Sequence, residues 1–224
     1  LPLFLRDAVD KFTQAASYVK ICGVTSIEDA QIVIDAGAAA LGLIFAESSR
    51  QLTLEEALAI ARATEGSILR VGVFRHNDPD FVLRHVDATG VEIAQIHGEL
   101  GQELVQALRE RQVGIVKALS VGEPEFFDFD ETTVDAVLID GPSPGSGHIH
   151  TWGDLQRRNF ARPVIAAGGL TALNVVEVLN ITNAWGVDVS SGVESGHRRK
   201  DRAHVRDFVM NARQHFDQRA ASRG

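Results

Sequence analysis

The 224-residue chain carries a formal net charge of -8, with 45% hydrophobic and 23% charged residues, the composition of one soluble globular domain. No apolar run approaches the roughly eighteen residues a membrane span needs, and the acidic balance excludes the broad basic surface that nucleic-acid binding requires. A small anionic ligand stays open, because one or two placed cations and a helix N-terminus hold a phosphate whatever the net charge.

In chain order, Leu5, Ala8, Val9, Phe12, Ala15 and Ala16 recur at helical spacing. This predicts an amphipathic helical extension over residues 1–17 that caps a barrel floor or makes a subunit contact. The opening Leu1-Pro2-Leu3-Phe4-Leu5 is too short for a signal-peptide core and lacks a basic lead, and the missing initiator Met is expected to reflect trimming. Short β-rich runs then end near Cys22, Phe45, Phe74, His97, Leu119, Asp140, Ala167 and Ser190, each followed by a helix-period segment. Eight such units at regular intervals predict a single (β/α)₈ TIM barrel over 18–217; an open doubly wound sheet more often has five or six strands and a G-x-G-x-x-G after the first, which is absent here. The longest loops at the strand C-termini are expected at Ala46–Gln51 and Gly141–His150, and a frayed tail over 218–224. Cys22 is the lone cysteine, so no disulfide framework is expected and the cytoplasm is the expected compartment.

Alternation along Tyr18-Val19-Lys20-Ile21-Cys22 sends Tyr18, Lys20 and Cys22 to the barrel interior. Lys20 then needs a buried partner, and Asp188 on the eighth strand, which closes the barrel against the first, is predicted to supply it. The pair serves structure or supports a Cys22 thiolate. Cys22 at a strand end is either a small buried hydrophobe or a reactive thiol. Asp140 either caps a turn or, opposite Cys22, completes a thiol and carboxyl pair for acid–base work, with Gly141–Gly147 as a lid. Ala167-Gly168-Gly169-Leu170 and Ser190-Ser191-Gly192-Val193-Glu194 read as a phosphate cradle after strands seven and eight, where glycines let backbone N–H groups approach oxygens. Arg50 is either a solvated surface charge or a fork for a substrate carboxylate. Gln95 and His97 share a face at the end of strand four and are expected to line the pocket with Lys20 and Asp188. Asp29 reads as an ordinary helix-face charge.

Taken together, Lys20-Ile21-Cys22-Gly23-Val24-Thr25, Gln95-Ile96-His97-Gly98, Leu138-Ile139-Asp140, Ala167-Gly168-Gly169-Leu170 and Val187-Asp188-Val189-Ser190-Ser191-Gly192-Val193-Glu194 resemble the phosphoribosylanthranilate isomerase family from about Tyr18 to Phe208. The resemblance implies an aldose–ketose isomerase of tryptophan synthesis, with Cys22 as general base, Asp140 as general acid and Arg50 on the anthranilate carboxylate. It further implies Gly168, Gly169, Ser190, Ser191 and Gly192 on the phosphate, no metal or cofactor, a phosphorylated aminosugar substrate, and a monomer or homodimer. The chain departs from the family in the roughly seventeen residues before the first strand, in Pro144–Trp152 where a Gly-Gly-Ser/Thr-Gly run, a Phe and an Asp-Trp pair are usual, and in Ser195-Gly196 where a Pro-Gly turn is usual. Two alternatives stay open: another phosphosugar enzyme on the same barrel, such as the histidine-pathway aminoaldose isomerase or indole-glycerol-phosphate synthase, and a phosphoribosyl-ligand binder without turnover.

Overall fold

The computed structural model describes residues 12, 15–75, 78–121, 124–141 and 159–222. Eight parallel strands close into a barrel in sequence order: β1 (Tyr18–Cys22), β2 (Ala40–Ile44), β3 (Leu69–Phe74), β4 (Ile93–His97), β5 (Gly114–Ser120), β6 (Ala136–Asp140), β7 (Val164–Ala167) and β8 (Gly186–Val189). Every strand ends within one residue of its expected position, because each apolar run stops where a Gly, Ser or charged residue turns the chain. Among the described residues the crossovers contain α1 (Ile27–Asp35), α2 (Leu54–Ala63), α3 (Pro79–Thr89), α4 (Gln102–Glu110), the short α5 (Glu125–Asp128), α6 (Val175–Thr182) and α7 (Arg202–Ala221). In the link between β6 and β7, residues 142–158 lie outside the described residues; they include all of the expected lid Gly141–Gly147 and of the expected long loop Gly141–His150 except Gly141.

Local chemistry sets the helix boundaries. Ser26 caps α1 by accepting from the Asp29 N–H, and Thr53 with Glu56 forms a reciprocal capping box on α2. Asp78 caps α3, Pro79 occupies its first turn and Gly90 ends it in the left-handed region. The final helix runs to Ala221, beyond the expected start of the frayed tail. Buried Phe216 anchors it, and Arg219 donates to Asn183 Oδ1 at 3.0 Å and to the Ala184 carbonyl at 2.9 Å.

Two apolar layers follow from strand alternation. Val19, Ile21, Leu41, Leu43, Ile96, Val137, Ile139 and Val187 pack outward against the helices, while Tyr18, Cys22, Ala40, Val71, Val73, Ile93, Val116 and Leu138 fill the interior. Of the expected N-terminal helical extension over residues 1–17, only Phe12, Ala15, Ala16 and Ser17 lie within the described residues. Phe12 is fully buried edge-on against Tyr18 and Trp185, with ring centroids 5.0 and 5.2 Å away, and the Trp185 indole donates to the Ala15 carbonyl at 2.7 Å. Tyr18 and Trp185 stack at 5.2 Å, so three aromatic rings close the barrel's N-terminal end.

After β8 the chain forms a 3₁₀ turn (Ser191–Val193) and a two-stranded hairpin, β9 (Glu194–Gly196) and β10 (Arg199–Lys200). Asp29, read from sequence as a helix-face charge, is instead buried and accepts the Lys200 N–H at 3.0 Å. Thr25 beside it donates to the Arg198 carbonyl at 2.8 Å, so the hairpin is stitched to the start of α1.

Candidate active site

A cavity of ≈ 400 Å³ opens at the C-terminal ends of the strands, within the size range of small-ligand sites. Cys22, Arg50, Gln95, His97, Asp140, Gly168, Gly169, Asp188, Ser190, Ser191 and Gly192 all line it. The exception among the candidate residues is Lys20, which sits beneath the cavity and does not line it. It is 1% exposed, its ammonium 2.8 Å from Asp188 Oδ2. Lys20 and Asp188 are register partners on β1 and β8, so closure of the barrel itself sets the pair.

Cys22 ends β1 opposite Gly42, and a Cβ built on Gly42 would meet the Cys22 Sγ at 2.9 Å and the Lys20 Cε at 3.2 Å. Glycine on β2 therefore makes the room that thiol and lysine occupy. Burial pushes the Cys22 thiol above its ordinary value; the neighbouring Lys20 and Lys200 charges pull it down, but not far enough to reverse the effect. Burial also opposes the Lys20 charge, yet Asp188 and Cys22 hold its ammonium above the normal lysine range. Lys20 is thus the strongest influence favouring the thiolate, as the expected support requires, but burial outweighs it.

Asp140 ends β6. Burial first, and repulsion from Asp188 second, lift its carboxyl above the usual range, with Arg75 and Lys20 opposing. His97 is held to about 4 by burial and by Lys20, Arg75 and Lys117, so it is neutral at neutral pH. Its Nε2 lies 2.9 Å from Gln95 Nε2; with the amide donating, the histidine carries its proton on Nδ1.

The two glycine segments meet at one side. Gly168 adopts φ +90°, and a Cβ there would lie 2.6 Å from the Gly141 carbonyl and 2.7 Å from Asp140 Oδ1, so only glycine fits between cradle and carboxyl. A Cβ on Gly192 would collide with the Leu170 carbonyl, which draws the turn after β8 against the turn after β7. Among the described residues the N–H groups of Gly168 and Gly169 have no backbone acceptor, and the buried Ser190 Oγ has no hydrogen-bond partner. Backbone donors and a hydroxyl left open at strands seven and eight are what an anion cradle requires.

Arg50 reaches the cavity from the loop after β2, but it is not a free fork. Its Nε and Nη2 each donate to Glu194 at 2.7 Å, in a bidentate pair, and Lys200 donates to the same carboxylate at 3.0 Å. Glu194 is held below its normal range because the Arg50 and Lys200 bonds outweigh the cost of burial. Sequence reasoning quoted Glu194 only as part of a motif and missed Lys200. It also missed Arg75, which follows β3 and lines the cavity wall. The signal for Arg75 was present: it continues the inward series Val71, Val73 by strand alternation.

A family model described as N-(5'-phosphoribosyl)anthranilate isomerase matches residues 19–211. The chain belongs to the N-(5'-phosphoribosyl)anthranilate isomerase family. A relative of that name from Geotalea daltonii is 37% identical over 202 residues, covering 88% of this chain and 96% of that one. The crystal structure of phosphoribosyl anthranilate isomerase from Thermotoga maritima superimposes with a TM-score of 0.76 at 31% identity, covering 88% and 99% of the two chains. A second structure of such an isomerase, in complex with reduced 1-(o-carboxyphenylamino)-1-deoxyribulose 5-phosphate, gives a TM-score of 0.73 at 29% identity over 88% of this chain and 99% of that one. Membership of the family fits the cavity's position, since barrel enzymes build their sites at the strand C-termini.

Proposed function

We propose that this chain catalyses the Amadori rearrangement of N-(5'-phosphoribosyl)anthranilate to 1-(2-carboxyphenylamino)-1-deoxyribulose 5-phosphate, with Asp140 as general acid and Cys22 as general base. The observation that carries this reading is the convergence of a buried thiol, a carboxyl held toward its protonated form and a glycine-rich cradle on one cavity.

In this mechanism the phosphate rests on Gly168, Gly169, Ser190, Ser191 and Gly192, which leaves the sugar lying across the strand ends. Protonated Asp140 donates to the furanose ring oxygen; the C1'–O bond breaks, and the anilino nitrogen supplies electrons to form an iminium. The iminium acidifies the C2' proton, which the Cys22 thiolate removes to give an enolamine. The enolamine then tautomerises to the ketone as C1' gains a proton and the C2' hydroxyl loses one. After the ring opens every step is a proton transfer, and each positioned acid or base is expected to contribute about 10²- to 10⁴-fold.

Burial favours both the neutral thiol and the protonated carboxyl, so the acid is held toward its working form and the base away from it. The active microstate, thiolate with carboxylic acid, therefore forms against the burial of the thiol, helped by the Lys20 and Lys200 charges. Arg50 receives the anthranilate carboxylate through the guanidinium edge that Glu194 leaves open, with Glu194 and Lys200 fixing the orientation. Anthranilate-adduct fluorescence supplies the test. Purified protein should abolish it in a time course proportional to enzyme; ligand binding without this loss would leave a binder, and no binding would sink both readings.

A further inference from the structure

Only two buried side-chain oxygens among the described residues have no hydrogen-bond partner, Asp188 Oδ1 and Ser190 Oγ, and both residues line the cavity. Ser190 belongs to the cradle. Asp188 sits two residues before it on β8, facing the same way, one layer deeper in the barrel. Its carboxylate is pinned, since Oδ2 accepts from Lys20 at 2.8 Å and the two residues are register partners. Asp188 is 7% exposed, and an unpaired carboxylate oxygen at that depth costs free energy unless a ligand completes it.

The chemistry of that ligand group is constrained. A carboxylate paired to lysine only accepts, so the group must be a donor. An anion is excluded by repulsion, and a cation would compete with Lys20 next door. A neutral hydroxyl fits. With phosphate in the cradle above and Cys22 on the neighbouring strand, the part of a phosphorylated pentose that passes over Asp188 is the carbon chain between the phosphate and the reacting C2'. We infer that Asp188 Oδ1 is the acceptor for a hydroxyl of the sugar, on C2' or C3', and that Lys20 is the positioning residue holding that acceptor in place. The inference rests on the isomerase reading and deepens it. The contact fixes rotation of the sugar chain about its phosphate, so that the C2' hydrogen faces the thiol. Asp188 also bears electrostatically on both Cys22 and Asp140, and a hydroxyl donated to it weakens both effects when substrate is bound.

Removing Asp188 alone strands a buried lysine and threatens folding. The test variant is therefore the double substitution Lys20→Met with Asp188→Val, an apolar replacement of the whole pair, checked for a cooperative melt. The probes are inorganic phosphate, the reduced product analogue 1-(o-carboxyphenylamino)-1-deoxyribitol 5-phosphate, and versions of that analogue lacking the C2' or the C3' hydroxyl. The double variant should bind inorganic phosphate within about two-fold of wild type and the full analogue about 10- to 100-fold more weakly, the scale of a hydrogen bond to a charged group. One of the deoxy analogues should bind wild type and variant alike. Equal affinity of both proteins for the full analogue overturns the inference while leaving the isomerase reading intact. Wild-type protein that neither binds the full analogue nor turns over substrate overturns both. Should the double variant fail to fold, the deoxy analogues on wild type decide alone: no loss of affinity on deleting either hydroxyl removes Asp188 as acceptor.

Discussion

The two ends of the same eight strands are built to opposite specifications. At the floor, Tyr18, Ala40, Val71, Ile93, Val116 and Ala136 face inward, every one buried and apolar or aromatic, and Phe12 and Trp185 complete the packing. At the mouth the inward positions of the same strands become Cys22, Arg75, His97, Asp140 and Ser190, with Lys20, Gln95 and Asp188 a layer below. Interior residues at the floor gain stability from burial, whereas those at the mouth accept desolvated charge and unmet hydrogen bonds. The difference teaches that the barrel is stabilised from one end and reacts at the other, so substitutions at the two ends should separate stability from turnover.

The largest expected effects break turnover alone. Cys22→Ser and Asp140→Asn should each lower kcat by about 10²- to 10⁴-fold, while inorganic phosphate still inhibits with nearly unchanged affinity. Steady-state kinetics check this, and near-normal kcat in Cys22→Ser would remove the thiol as base. Arg50→Ala should act chiefly on KM, raising it by about 10- to 100-fold through loss of a charge-assisted contact. Glu194→Gln should raise KM less, because the guanidinium stays but loses its bidentate clamp.

At the floor, Phe12→Ala should cost about 3–5 kcal/mol, the usual range for emptying a buried aromatic site, and lower Tm by roughly 10 °C. Urea melts would show the loss while kcat at a permissive temperature stays within about two-fold. A comparable fall in kcat would mean that the two ends are coupled. Asp140 offers the mirror image. Its folded pKa is raised above the unfolded value, so whatever stability it contributes is present below the unfolded carboxyl range and is lost as pH rises through the raised folded value. At neutral pH the ionised group is a burden on the fold. Asp140→Asn should therefore raise Tm by about 2 °C at pH 7 and by nothing measurable near pH 3, even as it removes activity.

How much of this was legible beforehand follows the same division. The strand ends were readable because a buried parallel strand is an unbroken apolar run closed by Gly, Ser or a charge, and the Lys20–Asp188 pair was readable because a closed barrel forces β1 beside β8. The hairpin after β8 was not, nor was the burial of Asp29 and Lys200. Those depend on contacts spanning some 170 residues, Lys200 N–H to Asp29 among them, which no local periodicity encodes. Arg50 was placed at the cavity by its loop, but its clamp on Glu194 depends on how the turns after β2 and β8 meet. Cys22 was read as a candidate thiolate from its lysine neighbour; its actual bias depends on the balance between burial and the Lys20 charge, in which burial prevails.

That balance yields the smallest and most diagnostic effect. If the active form is thiolate with carboxylic acid and the carboxyl is the stronger acid, kcat/KM rises through the Asp140 pKa, reaches a plateau, and falls as the acid-base pair loses its last proton near the thiol's pKa. The plateau height is set by the separation of the two values, not by either alone. Arg75 pulls the Asp140 carboxyl downward and so widens the separation. Arg75→Leu should move the rising limb toward higher pH and raise the plateau in proportion. A fall in the plateau with no movement of the limb would assign Arg75 to substrate binding. A rising limb in the thiol's range, unmoved by Arg75, would show that thiolate formation limits the reaction and that the two groups do not titrate in reverse order.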